Sequence, residues 1–180
     1  MGLYYGFYNS VNGDRRYDAE DFNRFFDGIL TDGVLRGYGE EFRTRPLSTN
    51  ANAVYVGTGR AWVGNKWTYC TGESVTLSAP GTSTRYDRVY LEVDANARVN
   101  SIKAVEGGSD GALPSIPPNK TNYWSYPIAR VKRTAGATAI NPLDIFMEIP
   151  TYFPYCRLMP SVTSDQLVES PPGSGLYMYL

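Results

Sequence analysis

Histidine is absent from the 180 residues. That removes the usual general base near neutral pH and the commonest zinc ligand together. Cysteine is scarce. Cys70 and Cys156 are the only two; they could pair, but without an expected signal peptide the reading is that both are free and partly buried. No apolar run approaches the roughly 20 residues that span a bilayer. MGLYYGFYNS, the first ten residues, lacks the basic and apolar regions of a signal peptide, so the expectation is a chain used without the secretory route. Net charge is −1 with Lys and Arg scattered. Nucleic acid and anionic membrane both need a concentrated basic face and are not expected as partners.

What the chain does have is 15 Tyr, 18 Gly and 12 Pro. Many turn-formers with many Tyr point to a β-rich protein making broad surface contacts, since Tyr joins large apolar area to a polar tip. One stretch has a clear helical period: YDAEDFNRFFDGILTDGVL, Tyr17 to Leu35. Phe22, Phe25, Phe26 and Ile29 fall on one stripe. Asp18 is the expected N-cap, Glu20 and Asp21 suit the positive end of the helix dipole, and Tyr17 with Phe22 has the spacing of a hydrophobic staple. Gly28 and Gly33 are stopping points. The reading is one helix of about three turns, covering a sheet formed downstream.

Strand signals follow. NAVYV (Asn52–Val56) and SVTL (Ser74–Leu77) are β-prone. Gly64-Asn65 is a two-residue hairpin connection placing Trp62 near Trp67. Val89, Leu91 and Val93 alternate with Tyr90 and Glu92 as in a half-buried strand. Asp94-Ala95-Asn96-Ala97 turns the chain and Val99–Val105 returns. Residues 107–125 read as a long crossover or exposed contact loop. A strand starts at Tyr126-Pro127, and Asn141-Pro142 opens a short helical turn.

Sites of chemistry are few. Asp87, Glu92 and Asp94 form the one local carboxylate cluster, but Asp94 suits an Asx turn and Arg85, Arg88 and Arg98 are near enough to pair with the others. Gly57-Thr58-Gly59-Arg60 lacks the ending of a phosphate loop, and Asp94-x-Asn96 lacks the spacing of a Ca²⁺ loop. No catalytic residue, metal or cofactor is assigned. Trp62, Trp67 and Trp124 are candidate glycan contacts, with core or interface packing the plainer explanation for the first two. The aromatic arm Tyr4, Tyr5, Phe7 and Tyr8 is a candidate contact to a neighbouring subunit or an edge strand or arm packed on its own domain. The apolar run Leu176, Tyr177, Met178, Tyr179 and Leu180 either docks on a partner or sister subunit, by adding a strand to a sheet edge, or is a frayed end.

FYNSVNGDRRYDAEDFNRFFDGILTDGVL, Phe7 to Leu35, resembles the N-terminal signature of tail and baseplate proteins (upper baseplate or tail-fibre-like) of bacteriophages of Gram-positive hosts. VGTGRAWVGNKWTY (Val56–Tyr69), RYDRVYLEVDANARVNSIKAVEG (Arg85–Gly107) and YPIARVKRTAGATAI (Tyr126–Ile140) are similar to that family's later blocks, in consistent order over roughly residues 7–145. The resemblance implies a virion tail component made in the host cytoplasm. It would be a homo-oligomer, a trimer or hexamer, that meets other tail or baseplate proteins and is not an enzyme. Past that point, where longer relatives carry fibre or receptor-binding regions, the resemblance is lost.

The expected organisation is α+β and mainly antiparallel. An aromatic arm (1–16) precedes a β-rich domain with one amphipathic helix packed on its sheet (17–149), and an irregular Pro-rich C-terminal tail follows (150–180). The function expected is a structural attachment or adaptor module of a phage tail. The alternative is a carbohydrate-binding module adsorbing to the host wall.

Overall fold

The computed structural model describes residues 11–13, 17–27, 29–149 and 155–156. The helix α1 spans Ala19–Asp27. Its start is built as the sequence indicates. Asp18 Oδ1 accepts from the backbone N–H groups of Glu20 (2.8 Å) and Asp21 (3.1 Å), and Asp21 returns the bond by accepting from Asp18 N (3.1 Å). Both ends of this reciprocal cap satisfy donors the first turn leaves open. Glu20 and Arg24 pair one turn apart at 3.6 Å.

Ten strands follow among the described residues, each paired antiparallel with its neighbours: β1 (Gly33–Val34), β2 (Thr44–Pro46), β3 (Ala53–Val56), β4 (Gly59–Val63), β5 (Lys66–Cys70), β6 (Glu73–Thr76), β7 (Arg85–Asp94), β8 (Val99–Val105), β9 (Tyr123–Arg133) and β10 (Ile145–Met147). They make three sheets, ordered β1-β4-β5, β2-β3-β6 and β10-β9-β7-β8. All three give side chains to one core. Phe42, Val54, Val63, Leu91 and Ile128 lie in it, each at most 1 % exposed.

The longest strands form the frame. β7 lies between β8 and β9 and is buried along most of its length rather than on one face as expected. Glu92, on the face expected to be wet, is covered by Tyr123 and Lys103. The 107–122 segment is the crossover from β8 to β9, which run parallel on either side of β7, so it returns from the Asp87 end of β7 to the Asp94 end. Its ends are fastened by side chains: Gly107 N donates to Asp87 Oδ1 (3.2 Å) and Ser125 N to Asn119 Oδ1 (2.8 Å).

β9 begins at Tyr123, three residues before the expected start, and runs through Pro127. The register explains the tolerance. Val89 faces Ala129 and Tyr90 faces Pro127, so Ile128 is the extra residue of a bulge, and β10 pairs only with 129–131. Pro127 therefore sits beside an irregularity and beyond the neighbouring strand, where its missing N–H breaks no ladder. The turn at Pro142–Asp144 has Asn141 as its cap, accepting from Leu143 N.

Helix packing departs from expectation. No residue of α1 is fully buried, and Phe22 and Phe25 are 49 % and 46 % exposed. Phe26 engages the sheet, edge-on to Trp62 at 5.4 Å, and Asp27 at the helix end is bonded to Asn65. The aromatic arm and everything past Cys156, including the Leu176–Leu180 run, lie outside the described residues.

Candidate interaction face

The β4–β5 hairpin is the element everything here hangs on. Gly64 (φ 57°) and Asn65 (φ 58°) both take the left-handed conformation of the turn that matches strand twist. The turn is fastened from two sides. Gly64 N donates to Asp32 Oδ1 (2.9 Å), and Asn65 Nδ2 donates to Asp27 Oδ1 at the end of α1 (2.9 Å). Burial pushes the Asp32 carboxyl above its ordinary range against the opposing pull of the Gly64 N–H, and nearby Asp27 adds to the rise. Trp124 of β9 lies directly against Gly64, where a Cβ would stand 2.1 Å from its ring. The turn cannot tilt.

A fixed turn fixes the register: Trp62 opposite Trp67 and Arg60 opposite Tyr69. Directly opposed residues share a face, so these four side chains lie together. Trp62 is buried beneath Phe26, whereas Trp67 is 72 % and Tyr69 56 % exposed. The Arg60 guanidinium stacks between two rings, 5.2 Å from Tyr69 and 5.2 Å from Tyr38. Phe25 packs edge-on to Phe26 at 5.1 Å. The result is an aromatic strip running Phe25, Phe26, Trp62 and Trp67, Tyr69 and Arg60, Tyr38.

Tyr38 is placed by an unusual loop. Glu41 (φ 53°) and Phe42 (φ 60°) are successive non-glycine residues in the left-handed region, which costs roughly 1–2 kcal/mol each. The surroundings hold them there. Phe42 is fully buried against Gly59, and Glu41 accepts from Gly37 N (2.7 Å) and the Tyr155 hydroxyl (2.6 Å). Those two bonds, Tyr155 first, hold the Glu41 carboxyl below its ordinary range. Glu40 accepts from Thr58 N and Arg45, and the Arg45 bond leads in lowering its pKa as well.

Beside the strip lies an open groove of about 280 Å³ between β5, the start of β6, and β8. Leu91 and Ile102 line it with Thr68, Ser101 and Glu73. Asn100 closes one end, its Nδ2 donating to Thr68 Oγ1 (2.8 Å) and to the Trp67 carbonyl (3.2 Å).

The carboxylate cluster is dispersed into structure. Arg85 holds Asp87 (2.9 Å), which is 1 % exposed, and Arg133 lies against the same carboxylate. Glu92 binds Lys103 and the Tyr123 hydroxyl, which outweigh the upward push of burial and lower its pKa. Asp94 Oδ1 accepts from Asn96 N and Ala97 N as an Asx turn. Arg88, expected as a local partner of the cluster, instead reaches Glu148 through two bonds of 2.8 and 3.0 Å. Among the described residues no group of three or more His, Cys, Asp or Glu side chains could hold a metal, and no helix is long and apolar enough to cross a membrane. Both thiols are free, Cys70 buried and Cys156 half-buried.

Of the three candidate glycan contacts, the fold brings Trp62 and Trp67 together and puts Trp124 beneath the turn, on another sheet. Trp67 alone presents its ring to water. Arg60 was legible in principle, because a two-residue turn at Gly64-Asn65 sets it opposite Tyr69. Tyr38 was not, since its place depends on a loop in a conformation its residues disfavour. No family model matches the chain, and no curated protein or solved structure matches it.

Proposed function

We propose that the chain is a structural module of a bacteriophage tail or baseplate, working as a homo-oligomer that joins the tail to adsorption elements. The observation that carries this reading is the aromatic strip. Trp67, Tyr69 and Tyr38 stand 72 %, 56 % and 48 % exposed on a hairpin that Asp32, Asp27 and Trp124 hold rigid. Exposed aromatic rings interleaved with an Arg are the composition of interface hot spots. Preorganisation lowers the ordering cost of association. The ordered resemblance over residues 7–145 supplies the kind of assembly, with the Tyr4–Tyr8 arm and the Leu176–Leu180 run as further contacts. A non-catalytic role is supported by the engagement of Asp87, Glu92 and Asp94 in ion pairs and a turn. Light scattering of the purified chain tests the reading. A stable trimer or hexamer is expected, and a monomer at every concentration would contradict it.

The same strip favours a second reading, a glycan-binding module, because an exposed indole beside an exposed Tyr on one face can stack on a sugar ring. Acrylamide quenching of tryptophan fluorescence separates the two. Quenching of Trp67 relieved by cell-wall glycan supports sugar binding, and quenching relieved by raising protein concentration supports assembly.

A further inference from the structure

The groove beside the strip is a site of its own. Its floor is aliphatic, made by Leu91, which is 1 % exposed, and Ile102. Acceptors stand around that floor. Asn100 spends its Nδ2 on Thr68 Oγ1 (2.8 Å) and the Trp67 carbonyl (3.2 Å), and its Oδ1 accepts no bond among the described residues. Val63 and Lys66 flank the two-residue turn as a hydrogen-bonded pair, so the backbone of Tyr69, three positions after Lys66, turns away from β4. Because β5 is the outer strand of its sheet, this leaves the Tyr69 carbonyl on the groove side. Glu73 adds an exposed carboxylate that no Lys or Arg pairs with among the described residues. The basic side chains of the lining strands are spent elsewhere: Lys103 of β8 on Glu92 (2.6 Å) and Lys66 of β5 on the Asn65 carbonyl (3.5 Å).

An apolar floor, carbonyl acceptors and one carboxylate select a narrow chemistry. A lysine or arginine side chain divides the same way, into a stem of methylenes that lies along apolar surface and a cationic head that carries donors alone. A neutral aliphatic side chain covers Leu91 and Ile102 but leaves the Asn100 Oδ1 and the Tyr69 carbonyl facing it without a donor. An acidic one meets Glu73 as a like charge. A fully solvated ion pair contributes little. Here the stem supplies what the head lacks, by keeping water from one side of the pair.

We propose that this groove takes a lysine or arginine side chain of a different protein docked beside the strip, with the stem on Leu91 and Ile102 and the head at Glu73. Charge complementarity sets the chemistry of that partner, and nothing in it depends on the phage-tail reading.

Methyl NMR shifts of Leu91 and Ile102 test it in the full chain. The probe is N-acetyl-lysine methylamide, and its control is N-acetyl-norleucine methylamide, which keeps the stem and lacks the charge. A saturable shift with a millimolar Kd is expected from the lysine probe, with binding at least tenfold weaker for the norleucine control and for the lysine probe in Glu73→Gln. Should the variant fail to fold, the norleucine comparison in the wild type decides. Equal binding of the two compounds, equal binding by wild type and a folded E73Q, or no saturable shift from the lysine probe overturns the proposal. Tighter binding of butane-1,4-diamine than of the lysine probe overturns it by giving the groove to a free polyamine. Shifts that move on dilution before any probe is added overturn it by giving the groove to a second copy.

Discussion

Asp32 is a carboxylate whose task is to accept one hydrogen bond in a half-buried place. Burial raises its pKa, so the folded state favours its charged form less than the unfolded chain does, and the stability it contributes is present at low pH and lost as pH rises through the folded value. Asp32→Asn keeps an oxygen for the Gly64 N–H and removes the charge. Chemical denaturation at pH 7 is expected to find it equal to or more stable than the wild type. Asp32→Ala leaves that N–H without its partner and is expected to cost about 1–3 kcal/mol. Gly64 itself needs both its left-handed φ and its lack of a side chain, because Trp124 fills the space. Gly64→Ala is expected to cost about 2–4 kcal/mol, from overpacking and backbone strain together. Glu41 works in the opposite sense from Asp32. Its pKa is lowered by Tyr155 and Gly37, so its contribution is complete above the ordinary glutamate value and lost as pH falls through the folded one. Unfolding midpoints measured between pH 6 and pH 3 are expected to fall more steeply for the wild type than for Glu41→Gln.

At the scale of elements, the ion pair between Arg88 and Glu148 ties β7 to the chain just past β10, across β9. Glu148 is 3 % exposed. Glu148→Ala removes the carboxylate that holds a largely buried guanidinium by two bonds and is expected to cost about 3–5 kcal/mol. The double variant Arg88→Met/Glu148→Ala is expected to lose less than the single one, read from denaturant midpoints. Elements whose signals are local were legible in advance. Asp18 capping α1, Gly64-Asn65 turning β4 into β5, Asp94 turning β7 into β8, and Asn141-Pro142 opening the short helical turn all depend on residues within four positions of each other. What local pattern does not contain is which neighbour a strand acquires. The burial of the second face of β7 follows from side chains its neighbours lay over it, Lys103 of β8 and Tyr123 of β9 over Glu92, and the passage of β9 through Pro127 follows from a bulge set by β7. Strands as short as β1 and β10 exist because a longer strand is there to pair with. The Phe stripe of α1 was legible as amphipathic, but which ring meets the sheet was not: Phe26 is seated on Trp62, while Phe22 and Phe25 stay half-exposed.

For the whole molecule, three small sheets share one core, and that core is independent of the strip on the outer face of the β4–β5 hairpin. Trp67 and Tyr69 are solvent-facing in the single subunit, so removing their rings is expected to leave subunit stability within about 0.5 kcal/mol. The same rings at the centre of an interface are expected to carry about 2 kcal/mol or more each. That separation between folding and association is the central claim, and sedimentation equilibrium of the wild type against Trp67→Ala/Tyr69→Ala tests it most directly. The account predicts an oligomeric wild type and a double variant that sediments as a folded monomer with unchanged unfolding midpoint. A double variant with the same oligomer mass and association constant as the wild type would contradict it.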